Sequence, residues 1–74
     1  MPKLPSLNGG ELLHLLLKAG FYVDHQTGSH IILRQQQPPY RRLTVPDHRE
    51  LAKGTLRALI RQAGLTVEGF RELL

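Results

Sequence analysis

Leucines at positions 12, 13, 16 and 17, with Glu11, His14 and Lys18 between them, predict a helix with one apolar side. Asn8 stands three residues before Glu11, the spacing of a capping box, and Gly20 supplies a left-handed stop, so the helix is expected over residues 9–19. From Phe21 the period becomes two. Phe21, Val23 and His25 alternate with Tyr22, Asp24 and Gln26, Thr27-Gly28 punctuates, and residues 29–34 resume with β-branched side chains, which predicts a β-hairpin. With Thr27-Gly28 as a two-residue loop, Gln26 pairs with Ser29 and His25 faces His30, about 5.5 Å apart at Cβ. A one-residue change of register would separate the two imidazoles. Residues 40–45, bounded by Pro39 and Pro46, predict a third strand. After a connection over residues 47–53, a helix is expected over residues 55–63, ended by Gly64. Thr66 can cap a last helix over residues 67–73. The order α-β-β-β-α-α is that of an α+β domain.

The chain has 74 residues, and its whole length is expected to form one domain. A chain of this size buries only about 60% of the surface that its unfolded form exposes. A large internal substrate cavity, a dinucleotide-binding unit or a bound flavin finds no room in it, so any active site must be shallow. Cysteine is absent, which excludes a disulfide scaffold, thiolate metal sites and thiol catalysis. No apolar run exceeds three residues and two prolines lie within residues 1–8. No membrane span or signal peptide is expected, and the expected location is the cytoplasm.

Ten Lys and Arg against six Asp and Glu give a net charge of +4, which favours phosphate-bearing partners. Residues 41–74 carry most of it, with seven basic and four acidic side chains against three and two in residues 1–40. Arg49, Lys53, Arg57 and Arg61 recur every four residues; if the second helix extends over them they form a basic stripe, or simply the solvated side of an amphipathic helix. Arg41 and Arg42 add a strand-borne pair.

His30 follows Gly28-Ser29 directly after the predicted turn. A bend there lets an imidazole project from the sheet, and histidine suits general acid or base work near neutral pH. A metal site built from His25, His30 and His48 with Asp24 or Asp47 lacks the paired helical histidines or clustered carboxylates of hydrolytic centres. Ser29 cannot use His30 as its base from an adjacent strand position, since neighbouring side chains point to opposite faces.

Leu4-Pro5 before the first helix, Ala19-Gly20-Phe21 at its end, Gln26-Thr27-Gly28-Ser29-His30 on the hairpin, Thr44-Val45-Pro46 with His48, Lys53-Gly54-Thr55-Leu56 and Arg61-Gln62-Ala63-Gly64-Leu65 closely resemble the HicA toxins. The resemblance spans nearly the whole chain. It implies a double-stranded-RNA-binding-domain-like α-β-β-β-α fold, its three-stranded antiparallel sheet packed against helices, with a short C-terminal helix added here. It further implies an mRNA interferase that cuts RNA and arrests translation, with His30 at the catalytic Gly-Ser-His position and a HicB-like antitoxin covering the active face. His48 matches a recurring histidine after Thr-Val-Pro, and His25 stands as a candidate helper through the hairpin register alone.

The chemistry expected is proton transfer by His30 to or from an RNA 2′-hydroxyl or leaving oxygen, with Lys53 and Arg57 offsetting charge on the phosphoryl group. Ser29, Arg41, Arg42 and Arg61 complete the expected RNA contacts, and no metal or other cofactor is required. The rival reading is a non-catalytic double-stranded-RNA-binding module, in which the basic helix alone matters. A helix-turn-helix over residues 55–74 is disfavoured, because its recognition helix would carry one Arg against two Glu. A decayed toxin that keeps the fold without activity is a further alternative.

Overall fold

The computed structural model describes residues 4–74, so the part of the N-terminal reading that falls on residues 1–3 lies outside it. The elements are α1 (Gly9–Lys18), β1 (Phe21–Thr27), β2 (His30–Gln35), β3 (Arg42–Pro46), α2 (Lys53–Gln62) and α3 (Val67–Arg71). The three strands form an antiparallel meander in the order β1-β2-β3. Phe21, Ile31, Leu33, Leu43 and Val45 of one sheet face share a single core with Leu12, Leu15 and Leu16 of α1, Leu56, Leu59 and Ile60 of α2 and Phe70 of α3. The helices thus cover one face of the sheet and leave the other open. Among the described residues no helix is long and apolar enough to cross a membrane.

The expected capping box is present: the Asn8 side chain accepts from the Glu11 N–H at 2.7 Å and the Glu11 carboxylate accepts from the Asn8 N–H at 3.0 Å. Gly20 and Gly64, at φ +94° and +80°, end α1 and α2 in the left-handed conformation that glycine adopts without a steric penalty. The buried side of α1 differs from expectation. Leu15 joins Leu12 and Leu16 in the core, Leu13 is partly buried and Leu17 is 42% exposed. A run with five leucines leaves its own phase ambiguous, and the rotation of α1 is set by contact. Gly9 lies so close to β3 that a Cβ there would stand 2.2 Å from the Pro46 carbonyl oxygen.

The hairpin also departs from the expected register. Gly28 (φ +57°) and Ser29 form the turn and Thr27 pairs with His30, because a tight hairpin takes a positive-φ glycine at its first central position. His25 therefore pairs with Ile32 and not with His30. Moving the turn by one residue changes the cross-strand partners of residues 25–27 by two, so both histidines keep their face.

A bulge between Val23 and His25 corrects the simple alternation expected for β1. Phe21 and Val23 pair with Gln35 and Leu33, whose side of β2 faces the helices, whereas His25 pairs with Ile32 on the open side. The extra residue is Asp24. Without it the two-residue period would turn Phe21, 2% exposed, out of the core whenever His25 faced outward.

Candidate active face

The open face is a grid three strands wide. Register and alternation place Tyr22, Arg34 and Arg42 in one row, His25, Ile32 and Thr44 in the next, and Thr27, His30 and Pro46 in the last. Ile32 is buried although it lies outside the main core, flanked across the strands by His25 and Thr44. His25 and His30 are diagonal neighbours across this face, a relationship that separates Cα atoms by about 7–8 Å, within reach of one phosphodiester held between two imidazoles.

Asp24 accounts for the orientation of His25. Its carboxylate accepts from His25 Nδ1 at 2.7 Å and lies 3.5 Å from Arg34 Nε. The hydrogen bond from His25 holds the Asp24 carboxyl below the usual carboxylate range; desolvation opposes it, and the Arg34 charge adds a smaller lowering. An ionised carboxylate only accepts, so Nδ1 of His25 carries the proton and Nε2 takes no part in that contact. The stabilisation from this lowered pKa is present above the unfolded-state value and is lost as pH falls through the folded one. His25→Ala should return Asp24 most of the way to an ordinary carboxylate titration, read from its side-chain carbonyl chemical shift. An unchanged titration would assign the shift to Arg34 instead.

His30 is exposed at the first position of β2. The backbone around it is held by the Asp47 N–H, which donates to the Ser29 carbonyl at 2.7 Å. The neighbouring His48 carbonyl accepts from the Gly9 N–H at 2.9 Å, and the Leu51 N–H donates to the Leu7 carbonyl at 2.8 Å. The β1-β2 turn, the loop after β3 and the start of α1 therefore meet at one end of the fold. Ser29, His30 and His48 belong to that end.

The expected basic stripe is divided. α2 begins at Lys53, which leaves Arg49 in the preceding loop and not on the helix. The Lys53 ammonium donates to the Leu4 carbonyl. Arg57 and Arg61 are exposed on α2, in the layer behind the sheet, while His30 faces the open side. Arg41 lies against the Gly64 backbone at the far end of α2, and only Arg42 of the expected cations shares the face of His30. Sequence reasoning did not single out Arg34 or Tyr22, and it considered Asp24 only as a metal ligand and not as the partner of His25. Their signal is the bulge, which no residue type announces.

Among the described residues no three His, Asp or Glu side chains come together as a metal site. An apolar concavity of about 490 Å³ is lined by Leu7, Asn8, Gly10, Glu11, His14, Leu15 and Leu74. It lies on the α1 side of the fold, away from the open face.

Comparison with curated proteins finds no match. The family model described as HicA toxin of bacterial toxin-antitoxin matches residues 9–65, a span that runs from the first residue of α1 past Gly64 and contains every strand of the open face. With that match on the α-β-β-β-α-α order seen here, the chain belongs to the HicA toxin family, the toxin side of bacterial toxin–antitoxin systems.

Proposed function

We propose that the protein is an endoribonuclease, an mRNA interferase that arrests translation, with His30 as its principal proton-transfer group. The observation that carries this reading is the diagonal placement of His30 and the Asp24-held His25 on one uncovered sheet face. His30 takes the proton of an RNA 2′-hydroxyl, whose oxygen attacks the adjacent phosphorus. The bond from phosphorus to the 5′-oxygen breaks, and that oxygen receives a proton from His25. The products are a 2′,3′-cyclic phosphate and a 5′-hydroxyl end. Two positioned imidazoles supply both proton transfers, so no metal is needed. Lys53 lies in the helical layer and is engaged with Leu4, and Arg57 lies in the same layer; the charge on the phosphoryl group falls to the imidazolium partner and to cations of the open face.

The test is a defined single-stranded RNA incubated with the protein, with and without EDTA, with both fragment ends identified. Cyclic phosphate ends formed equally in EDTA are expected. Ends bearing a 5′-phosphate, together with strict magnesium dependence, would overturn the mechanism.

A toxin of this family implies an antitoxin partner. We infer that it is HicB-like and that it neutralises the protein by covering His30, with Arg57 and Arg61 of α2, both exposed, drawing it in. Association should slow several-fold between low and physiological salt, because exposed charges are screened over about 8 Å at 0.15 M. Stopped-flow association rates across a salt series check this; a flat series would remove the basic helix from the interface.

A further inference from the structure

We propose that the open face of the sheet is a track for a single RNA strand, held at the Tyr22-Arg34-Arg42 row so that its backbone passes His25 and reaches His30. Naming that strand as the substrate rests on the ribonuclease reading above; the binding itself does not.

Three observations carry the track. Arg34 and Arg42 are direct cross-strand partners, and like charges opposite one another are destabilising in a sheet. Only Arg34 has a carboxylate near it, Asp24 at 3.5 Å; no carboxylate pairs with Arg42 among the described residues. Folding therefore places two guanidinium groups where a phosphate relieves their repulsion and can be bound bidentately. Tyr22 lies across from Arg34 in the same row, 40% exposed, and an aromatic ring beside guanidinium planes is a surface on which unstacked bases pack. The third observation is alignment. Arg34 and His30 are four residues apart on the face of one strand, about 13 Å at 3.3 Å per residue, with His25 alongside the middle of that path.

A duplex is served less well. Its recognition rests on phosphate and 2′-hydroxyl contacts spread over successive grooves, a longer footprint than one row of a three-stranded sheet. α1 offers Lys18, whose ammonium donates to the Leu73 carbonyl at 3.3 Å, and its first turn carries Glu11. The cation at the start of α2, Lys53, is held by Leu4, and the exposed Arg57 and Arg61 of α2 lie in the layer behind the sheet, away from His30.

The experiment uses the full chain carrying His30→Ala, so that RNA stays intact, and measures fluorescence anisotropy with a short labelled oligoribonucleotide, single-stranded or annealed to its complement. The single strand should bind at least tenfold tighter than the duplex. Tyr22→Ala and Arg42→Gln should each weaken single-strand binding about tenfold, the size of one lost stacking contact or charged contact. Arg57→Gln and Arg61→Gln should leave it within about twofold, a change too small to signal a lost phosphate contact. A duplex preference, a loss confined to the α2 variants, or no saturable binding of either RNA would overturn the track. All four substituted side chains are exposed, and urea midpoints confirm that each variant folds. Cleavage by the otherwise wild-type chain is followed in parallel. Cleavage indifferent to Tyr22 and Arg42 keeps the ribonuclease and overturns the track, whereas track-dependent binding without cleavage keeps the track and overturns the ribonuclease.

Discussion

Replacing His30 by alanine should slow RNA cleavage about 10²–10⁴-fold, the range expected when a positioned proton-transfer group is removed, while leaving the fold intact. The separation of the two effects follows from position. His30 is exposed at the start of β2, and no side-chain hydrogen bond holds it among the described residues. An exposed substitution of this kind changes stability by about 0.5 kcal/mol or less. Initial rates on a defined single-stranded RNA, set beside a urea midpoint for the same variant, measure both. Translation arrest in cells should vanish with the cleavage. Cleavage that survives the substitution would take the reaction away from this face altogether. His25→Ala should produce a smaller loss than His30→Ala if its task is to protonate the leaving oxygen, since solvent can partly replace an acid at an open surface.

Gly9→Ala is the corresponding prediction for the fold. A Cβ at Gly9 would stand 2.2 Å from the Pro46 carbonyl oxygen and 2.8 Å from Asp47 Cα, both backbone atoms that cannot swing aside. Either α1 withdraws from the end of β3 or the loop after it shifts, and the Gly9 N–H to His48 carbonyl bond lengthens in both cases. Overpacking of this kind destabilises by about 1–3 kcal/mol and occasionally more, a large share of the roughly 5–15 kcal/mol that holds a small domain folded. Gly10→Ala is the matched control. Its Cβ would meet only the Asn8 side-chain oxygen at 3.4 Å, and alanine in place of a helical glycine contributes up to about 1 kcal/mol. The urea midpoint should therefore fall for Gly9→Ala and hold or rise for its neighbour. Equal midpoints would show that the close approach of α1 to Pro46 carries no energy. Cleavage by the folded fraction of Gly9→Ala should fall as well, because the loop that moves includes Asp47, whose N–H anchors the Ser29 carbonyl beside His30.

Local signals in the chain were read correctly wherever one short segment contains the whole physical cause. The Asn8-Glu11 box needs only three residues of spacing, Gly20 and Gly64 need only a backbone free of Cβ strain, and Thr66 caps α3 by accepting from the Gly69 N–H at 3.0 Å. The position of His30 directly after the hairpin turn was legible because Gly28-Ser29-His30 is contiguous. Arg42 was legible as a charge, although not as the partner of Arg34.

Every misreading involved a choice between alternatives of nearly equal local energy. Leucines at 12, 13, 15, 16 and 17 allow more than one buried side of α1, and the contact at Gly9 selects among them. Thr27-Gly28 and Gly28-Ser29 are both acceptable turns; the positive φ of Gly28 is used at the first central position in the pairing that closes on His30. The four-residue spacing of Arg49, Lys53, Arg57 and Arg61 says nothing about where α2 begins, and the Leu7-Leu51 backbone bond holds the residues before Lys53 in a loop.

Order of elements, caps, stops, apolar content and the basic excess of the second half were thus settled by the amino acids and their spacing, since each depends on covalent neighbours. The partners on the open face were not. Seating Phe21 in the core while His25 faces outward requires the bulge at Asp24; that bulge puts Asp24 beside His25 and brings Tyr22 into the Arg34-Arg42 row, while the turn at Gly28-Ser29 sets the diagonal approach of His25 to His30. A core that must be filled across three strands and three helices decides such a register, because only there does a shift of one residue exchange an apolar side chain for a polar one.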